Sequence, residues 1–133
     1  MAGARSTEGP SRSHNIEKGK EGEDIAAACL REKGYKIIER NYRCRYGEID
    51  IIAMDGVDIV FIEVKSRKSD NFGLPEEAVG LTKQKKISKV ALNYLIEKEL
   101  VDHNARFDIV AIRFMSQGNR VRLIKNAFDL RNH

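Results

Sequence analysis

The feature that most constrains the fold is a pair of apolar segments on either side of Asp55-Gly56. The first, GEIDIIAM, covers residues 47–54, and the second, VDIVFIEVKS, covers residues 57–66. Aspartate followed by glycine between two such runs is typical of a β-hairpin. The second segment is apolar on both faces near its middle, as expected of a strand with neighbours on both sides. The sequence therefore predicts two antiparallel strands inside a sheet.

The other segments predict an α/β fold in the order α-β-β-β-α-β-β, with helices packed on the sheet. Apolar spacing and turn residues place helices at 21–33 and 82–99 and further strands at 35–42, 105–114 and 121–125. Residues 1–15 are rich in Gly, Ser, Arg and Pro and lack apolar periodicity, which predicts a disordered tail. Residues 16–133 then form a single domain.

Composition excludes several classes of protein. No apolar run approaches the roughly 20 residues that cross a bilayer, and the first 15 residues do not form a secretory signal. We therefore expect a soluble, cytoplasmic protein with no membrane partner. Cys29 and Cys44 stand alone and the three histidines are scattered, which favours reduced thiols over a disulfide or zinc site.

Three charged residues interrupt the apolar strands. Asp50 lies among isoleucines in the first segment, while Glu63 and Lys65 lie two residues apart in the second and should project from one face. Reflection about the hairpin turn places Asp50 opposite positions 60–61, within a residue or two of Glu63. The sequence thus predicts that the three side chains meet at one end of the sheet.

Two carboxylates in a half-buried site are unfavourable unless something compensates them. A Mg²⁺ ion would do so, since it prefers carboxylate, water and phosphate oxygens. Lys65 could then orient or deprotonate an attacking water or stabilise charge on phosphorus. The alternative is a cross-strand charge ladder without chemistry. The hairpin context and apolar flanks favour a catalytic site of Asp50, Glu63 and Lys65.

Basic residues form three groups around these segments. They are Arg40, Arg43 and Arg45; Lys65, Arg67 and Lys68; and Lys83, Lys85, Lys86 and Lys89. Any one of these groups is most simply interpreted as solvated surface. Together the three groups favour a nucleic-acid partner. A net charge of +4 permits such a partner without requiring it. The candidate nucleic-acid-binding residues among them are Arg43, Arg45, Arg67, Lys68, Lys83 and Lys86.

GEIDIIA followed by VFIEVKSR resembles the PD-(D/E)XK nuclease superfamily and, more closely, the YraN-type family of uncharacterised bacterial proteins. Further likenesses are the Gly-Glu pair of the first helix, the GYKIIERN segment, the KQKK helix start and RFDIV. The resemblance spans about residues 19–128. Ile49 stands where the superfamily motif nominally has proline.

The resemblance implies a restriction-endonuclease-like mixed sheet, similar to archaeal Holliday junction resolvases. It also implies a metal-dependent nuclease, with DNA favoured over RNA, RNA left open, and branched or single-stranded DNA as candidate substrates. It implies that Asp50 and Glu63 bind Mg²⁺ or Mn²⁺, that Lys65 is the catalytic lysine and that Glu23 completes the metal site. Gln84 would lie near the substrate backbone. From the residues alone, Glu23 lies at the polar end of an apolar helix stripe. The alternative to a metal-binding role is that Glu23 is a first-turn acid that stabilises the helix by about 0.3–1 kcal/mol.

Two other functions stay open. The fold could serve as a nucleic-acid-binding module without turnover, or as a protein-interaction module, including a homodimer with residues 127–130 as its candidate face. Asp108 is expected to be a structural partner of Arg106 or a nearby lysine. Glu48 is a candidate supporting acid on the Asp50 face.

Overall fold

Two helices pack on opposite faces of one five-stranded sheet in the computed structural model, which describes residues 10–68 and 79–128. The predicted element order and fold class are confirmed. The elements are α1 (Pro10–Glu32), β1 (Lys36–Cys44), β2 (Gly47–Asp55), β3 (Asp58–Lys68), α2 (Leu81–Glu97), β4 (Ala105–Met115) and β5 (Gly118–Phe128).

Helix α1 begins at Pro10, well before the predicted start at residue 21. Residues 10–21 carry no apolar periodicity that could have marked these first turns. Proline suits a helix start because the first N–H groups of a helix have no intrahelical acceptor, so the N–H that proline lacks costs no hydrogen bond. The helix thus includes residues 10–15 of the predicted tail. Residues 1–9 lie outside the described residues. The domain boundary at residue 16 stays a prediction.

The strands follow one another across the sheet in the order β1-β2-β3-β4-β5. The first three form an antiparallel meander that contains the predicted hairpin, whereas β3 and β4 run parallel and β5 returns antiparallel to β4. A parallel pair needs a crossover connection, and α2 supplies it. Strand β3 therefore has hydrogen-bonded neighbours on both sides, as its apolar sequence predicted.

The turn between β2 and β3 lies at Gly56-Val57, one residue later than predicted. Gly56 adopts φ +64, which glycine reaches without steric cost. Because a hairpin's turn fixes its register, this change shifts the strand pairing by two residues. Extended by one residue, this pairing places Asp50 opposite Glu63 instead of Phe61. The predicted register is thus corrected, and the two acids are closer along the strands than predicted.

Each face of the sheet has its own hydrophobic cluster. Helix α1 approaches closely because its buried positions are small, and α2 packs through larger side chains. The α1 cluster includes Ala26, Ala27, Leu30, Ile51, Val60, Ile62, Val110 and Ile112. The α2 cluster includes Tyr42, Ile49, Phe61, Ile87, Val90, Ala91, Tyr94 and Phe107. Within residues 10–68 and 79–128, no helix is long and apolar enough to cross a membrane.

The hairpin end of the sheet is held by one arginine. Arg106 of β4 donates to Asp108 at 3.0 Å, to Asp55 at 2.7 Å, to Asp58 at 3.1 Å and to the Tyr35 hydroxyl at 2.8 Å. Tyr35 in turn donates to Asp108 at 2.8 Å. The predicted structural pairing of Asp108 with Arg106 is confirmed. This hairpin-end network joins the α1–β1 connection, the β2–β3 hairpin and β4, away from Asp50.

Candidate metal centre

Asp50 sits where the pairing between β2 and β3 stops. The last paired residues are Ile51 and Ile62. Just beyond this pair, the backbone N–H of Val64 in β3 donates to Asp50 Oδ2 of β2 at 2.8 Å. A carboxylate oxygen thus takes the place of a strand carbonyl, and it fixes Asp50 against β3.

The backbone of β2 changes orientation at the same point. Ile49 packs in the α2 cluster, whereas Ile51 packs in the α1 cluster. Residues two apart on a regular strand share a face, so the strand is irregular at Asp50. This irregularity allows β2 to keep apolar side chains in both cores while Asp50 turns toward β3.

Burial raises the pKa of Asp50 to about 7, and the neighbouring charge of Glu63 adds to the effect. The Val64 N–H opposes the rise, while Glu23 and Glu48 contribute to it. Asp50 is therefore an acid whose charged form is strongly disfavoured by its surroundings. A proton or a cation would relieve that charge.

Glu63 contacts a residue that the sequence assigned only to nucleic acid. The Lys83 ammonium lies 2.7 Å from Glu63 Oε2; the side chains are 54% and 15% exposed, respectively. Lys83 is in the first turn of α2, which therefore lies beside β3 at the acid pair. No sequence pattern indicated this ion pair, because it depends on how the crossover helix is placed on the sheet.

Lys65 lies on the regular part of β3. Glu63 pairs with Ile109 and Lys65 with Ala111 in the parallel ladder with β4. The two side chains therefore project from the same face, as the spacing predicted. Lys65 is partly buried on that face.

Gly22 lets α1 bring Glu23 toward the site. A side chain at position 22 would collide with Ser66 Oγ of β3 and would also meet Ile112. Glu23 influences the pKa of Asp50, but its Oε1 lies 3.7 Å from Arg40 Nη2. Glu23 is thus adjacent to the site and engaged by Arg40.

The donor set suits a cation held by two carboxylates. Among the described residues no group of three or more His, Cys, Asp or Glu is arranged to hold a metal ion. Mg²⁺ commonly uses one or two carboxylates and completes its shell with water and substrate phosphate. Asp50 and Glu63 fit that pattern, and the raised pKa of Asp50 indicates that the charge of this acid lacks compensation. Glu23 already has a cationic neighbour in Arg40.

Three of the predicted basic residues, from β1, the β1–β2 turn and β3, contact different neighbours. Arg43 pairs with Glu48 at 3.3 Å, and both side chains are exposed. Arg45 donates to the Tyr46 hydroxyl at 2.7 Å, and Arg67 donates to the Ser66 carbonyl at 3.4 Å. Lys68 ends β3.

Gln84 and Lys86 occupy the first turns of α2. Gln84 donates through Nε2 to the Val79 carbonyl at 2.8 Å, so it fixes the chain entering the helix. Lys86 lines a cleft of about 610 Å³ between the β1–β2 turn and α2, together with Lys83. The sequence analysis did not predict this cleft. Its walls are mainly apolar and include Tyr46, Gly47, Glu48 and Ile87.

Comparison with known proteins places the described geometry in a family context. The model of the uncharacterised protein family UPF0102 matches residues 22–112. A UPF0102 protein from Syntrophus aciditrophicus is 60% identical over 116 residues, covering 87% of this chain and 91% of the relative. UPF0102 proteins from Geobacter sulfurreducens and Persephonella marina are each 50% identical, covering 88% and 85% of this chain and 92% and 94% of the relatives. The matched span contains Glu23, Asp50, Glu63, Lys65 and Lys83.

Proposed function

Because this chain belongs to the uncharacterised protein family UPF0102, whose name states no activity, we propose its function from the site: it is a metal-dependent nuclease that hydrolyses phosphodiester bonds in DNA. The proposal takes Mg²⁺ or Mn²⁺ as the cofactor and the cytoplasm as the location. DNA is placed ahead of RNA on the resemblance to PD-(D/E)XK nucleases.

The observation that carries the proposal is the paired environment of Asp50 and Glu63. One acid is fixed by a backbone N–H at the open end of a strand ladder, and its pKa rises to about 7 through burial and the other acid. A structural ion pair would lower the pKa of a carboxyl group rather than raise it. Perturbed acids of this kind, with a lysine on the same strand face, are typical of catalytic sites.

The residues divide the chemistry between them. When bound, the cation would supply charge for the scissile phosphate and activation of the attacking water. Asp50 and Glu63 would hold it, with Asp50 oriented by Val64. Lys65 would orient or deprotonate the water or stabilise the charge that develops on phosphate oxygens. Lys83 is exposed enough to turn from Glu63 toward a substrate phosphate.

The test is a cleavage panel of labelled single-stranded, duplex and branched DNA with matched RNA, each in Mg²⁺, Mn²⁺ and EDTA. Asp50→Asn is the diagnostic variant because the amide oxygen can still accept the Val64 N–H. Asp102→Asn is the matched control, since Asp102 is exposed in the α2–β4 connection. Cleavage that requires the metal, survives in the control and is lost in Asp50→Asn supports the proposal. Equal cleavage by both variants, or no cleavage of any substrate, would refute it.

A second candidate is a nucleic-acid-binding or protein-interaction module without turnover. The Glu63–Lys83 contact favours it, because an ammonium at 2.7 Å already compensates one acid. This alternative requires salt-dependent DNA binding that persists in Glu63→Ala, with no cleavage under either metal.

A homodimer belongs to the same set of proposals. Of the candidate face at 127–130, only 127 and 128 lie within the described residues. The Phe128 ring stacks on Phe107 at 4.5 Å, so it serves the α2 side of the core. Sedimentation at micromolar concentration tests the dimer directly, and a monomer mass would exclude it.

A further inference from the structure

We propose that the cleft between the β1–β2 turn and α2 receives the base of one unpaired nucleotide of the nucleic-acid substrate. This inference rests on the proposed nuclease function and deepens it, because it names the substrate class: DNA with an unpaired nucleotide beside the cleaved bond. The size, walls, charge and position of the cleft all fit such a nucleotide.

The cleft has the dimensions and surface of a ligand site. Its volume of about 610 Å³ falls within the roughly 300–1,000 Å³ of small-molecule pockets. Tyr46, Ile87 and Val90 provide apolar and aromatic walls. Such walls suit the flat face of a base better than they suit a hydrated sugar–phosphate chain.

Tyr46 is the aromatic wall of the cleft and is held by its neighbours. It packs partly buried against the α2 cluster, and the Arg45 guanidinium lies 4.9 Å from its ring centroid while bonding its hydroxyl at 2.7 Å. A side chain that is already ordered loses little entropy when a ligand binds. Base stacking on an aromatic ring works for any base, so the cleft would select for an unpaired base rather than for a sequence.

Charge assigns opposite parts of a nucleotide to opposite sides of the cleft. Lys83 and Lys86 come from α2 and suit a phosphate, whereas Glu48 comes from β2 and is held by Arg43 at 3.3 Å. A carboxylate would repel a bare phosphate but can accept a hydrogen bond from an exocyclic amino group. The walls therefore fit a base with its phosphate directed toward α2.

Lys83 connects the cleft to the candidate metal centre. The same residue lines the cleft and contacts Glu63 at 2.7 Å. A base in the cleft would thus place an adjoining phosphate beside Asp50 and Glu63. A base that is paired and stacked in a duplex must first be extruded, which is least costly where it is already unpaired.

The experiment measures binding in EDTA, where a metal-dependent enzyme cannot cleave. Two duplexes of one sequence carry 2-aminopurine, either as a single unpaired nucleotide or opposite thymine. We expect wild type to bind the unpaired form at least about 10-fold more tightly, within the range that base–aromatic stacking provides. The 2-aminopurine fluorescence should fall on binding of the unpaired duplex only.

Variants identify the cleft as the cause. Tyr46→Ala should abolish both the preference and the fluorescence change, while Tyr46→Phe should retain both, and thermal melting of each verifies folding. Lys86→Ala should weaken binding of the unpaired duplex several-fold. Lys33→Ala removes the same charge from an exposed position at the end of α1 and should leave the preference unchanged.

Equal affinity for the two duplexes in wild type, or a preference that survives in folded Tyr46→Ala, overturns the inference. Cleavage assays in Mn²⁺ separate this failure from failure of the proposed function. If both duplexes are cut equally and cleavage depends on Asp50, the nuclease stands and the cleft inference fails. If neither is cut, the nuclease fails whatever the binding assay shows.

Discussion

The backbone N–H of Val64 donates to the carboxylate of Asp50 at 2.8 Å, just beyond the last paired residues of β2 and β3. The bond fixes the acid of one strand against the strand that carries Glu63 and Lys65. It requires an acceptor oxygen but no charge. Asparagine at position 50 would therefore keep the geometry and remove the charge, which makes this substitution the most informative one in the site.

Asp50→Asn should alter how stability depends on pH. Burial and Glu63 raise the pKa of Asp50 to about 7 from 3.8, so between these values the folded state binds a proton that the unfolded state has released. The stabilisation from protonated Asp50 is complete below its pKa in the unfolded chain, and it is lost as pH rises through its pKa in the folded protein. Between pH 5 and pH 8 the loss should be about 2–3 kcal/mol in EDTA.

The measurement is urea unfolding at both pH values for wild type, Asp50→Asn and the Asp102→Asn control. Asp50→Asn should lack the loss and should exceed wild type in stability at pH 8. The control should follow wild type. If the free energy of unfolding depends on pH in the same way for wild type and Asp50→Asn, then Asp50 is not the group whose ionisation destabilises the fold.

Lys83→Ala should separate cation binding from substrate binding. Its ammonium lies 2.7 Å from Glu63 and competes with any cation for that carboxylate. We expect the Mn²⁺ concentration that gives half-maximal cleavage to fall several-fold, and KM for DNA to rise because a phosphate contact is lost. Titrations of Mn²⁺ and of DNA measure the two effects, and Lys33→Ala is the charge control. A higher Mn²⁺ requirement would contradict the assigned competition.

Gly22→Ala should damage both packing and the site. The added methyl would collide with Ser66 Oγ and force α1 away from β3. We expect a loss of about 1–3 kcal/mol in the free energy of unfolding, typical of overpacking, and weaker cleavage because Glu23 moves with the helix.

Two variants check this explanation. Gly19→Ala has no heavy atom within 4 Å of the added carbon and should be neutral or stabilising by up to about 1 kcal/mol. Ser66→Ala in the Gly22→Ala background removes the colliding oxygen and should recover part of the stability. If the double variant is no more stable than Gly22→Ala, the collision is not the cause.

Arg106→Ala should destabilise the fold strongly. It would leave Asp108, whose side chain is 0% exposed, without its principal counter-charge, and would also release Asp55 and Asp58 from the hairpin end. Removing one partner from a buried ion pair typically costs about 3–5 kcal/mol. Chemical unfolding measures the loss, with Arg120→Ala as the exposed control on β5. A loss no larger than that of the control would deny the network its structural role.

The sequence predicted those parts of the fold and site that depend on neighbours along the chain. The YraN-type resemblance is confirmed by the family match, and the nuclease superfamily is consistent with it. The hairpin, the common face of Glu63 and Lys65 and the pairing of Arg106 with Asp108 follow from short-range rules of turns, strands and charge. All of these contacts lie within one or two elements.

Contacts set by tertiary placement were not predictable from such rules. The one-residue change in the turn moved Asp50 level with Glu63, and strand periodicity could not fix that offset. The Lys83–Glu63 contact depends on where the crossover helix settles. Likewise, α1 extends beyond its apolar stripe, so periodicity marked only the packed part. The metal and substrate assignments stay proposals.

The close approach of α1 to β3 at Gly22 bears on partly folded molecules. Glu23 comes from the helix on one face of the sheet, whereas Lys83 comes from the helix on the other face. A chain that has docked only one helix, or a proteolytic fragment lacking either, keeps Asp50, Glu63 and Lys65 on the sheet but lacks one of the two flanking groups. The full set of charged groups around Asp50 is therefore assembled only in molecules that have completed both hydrophobic cores.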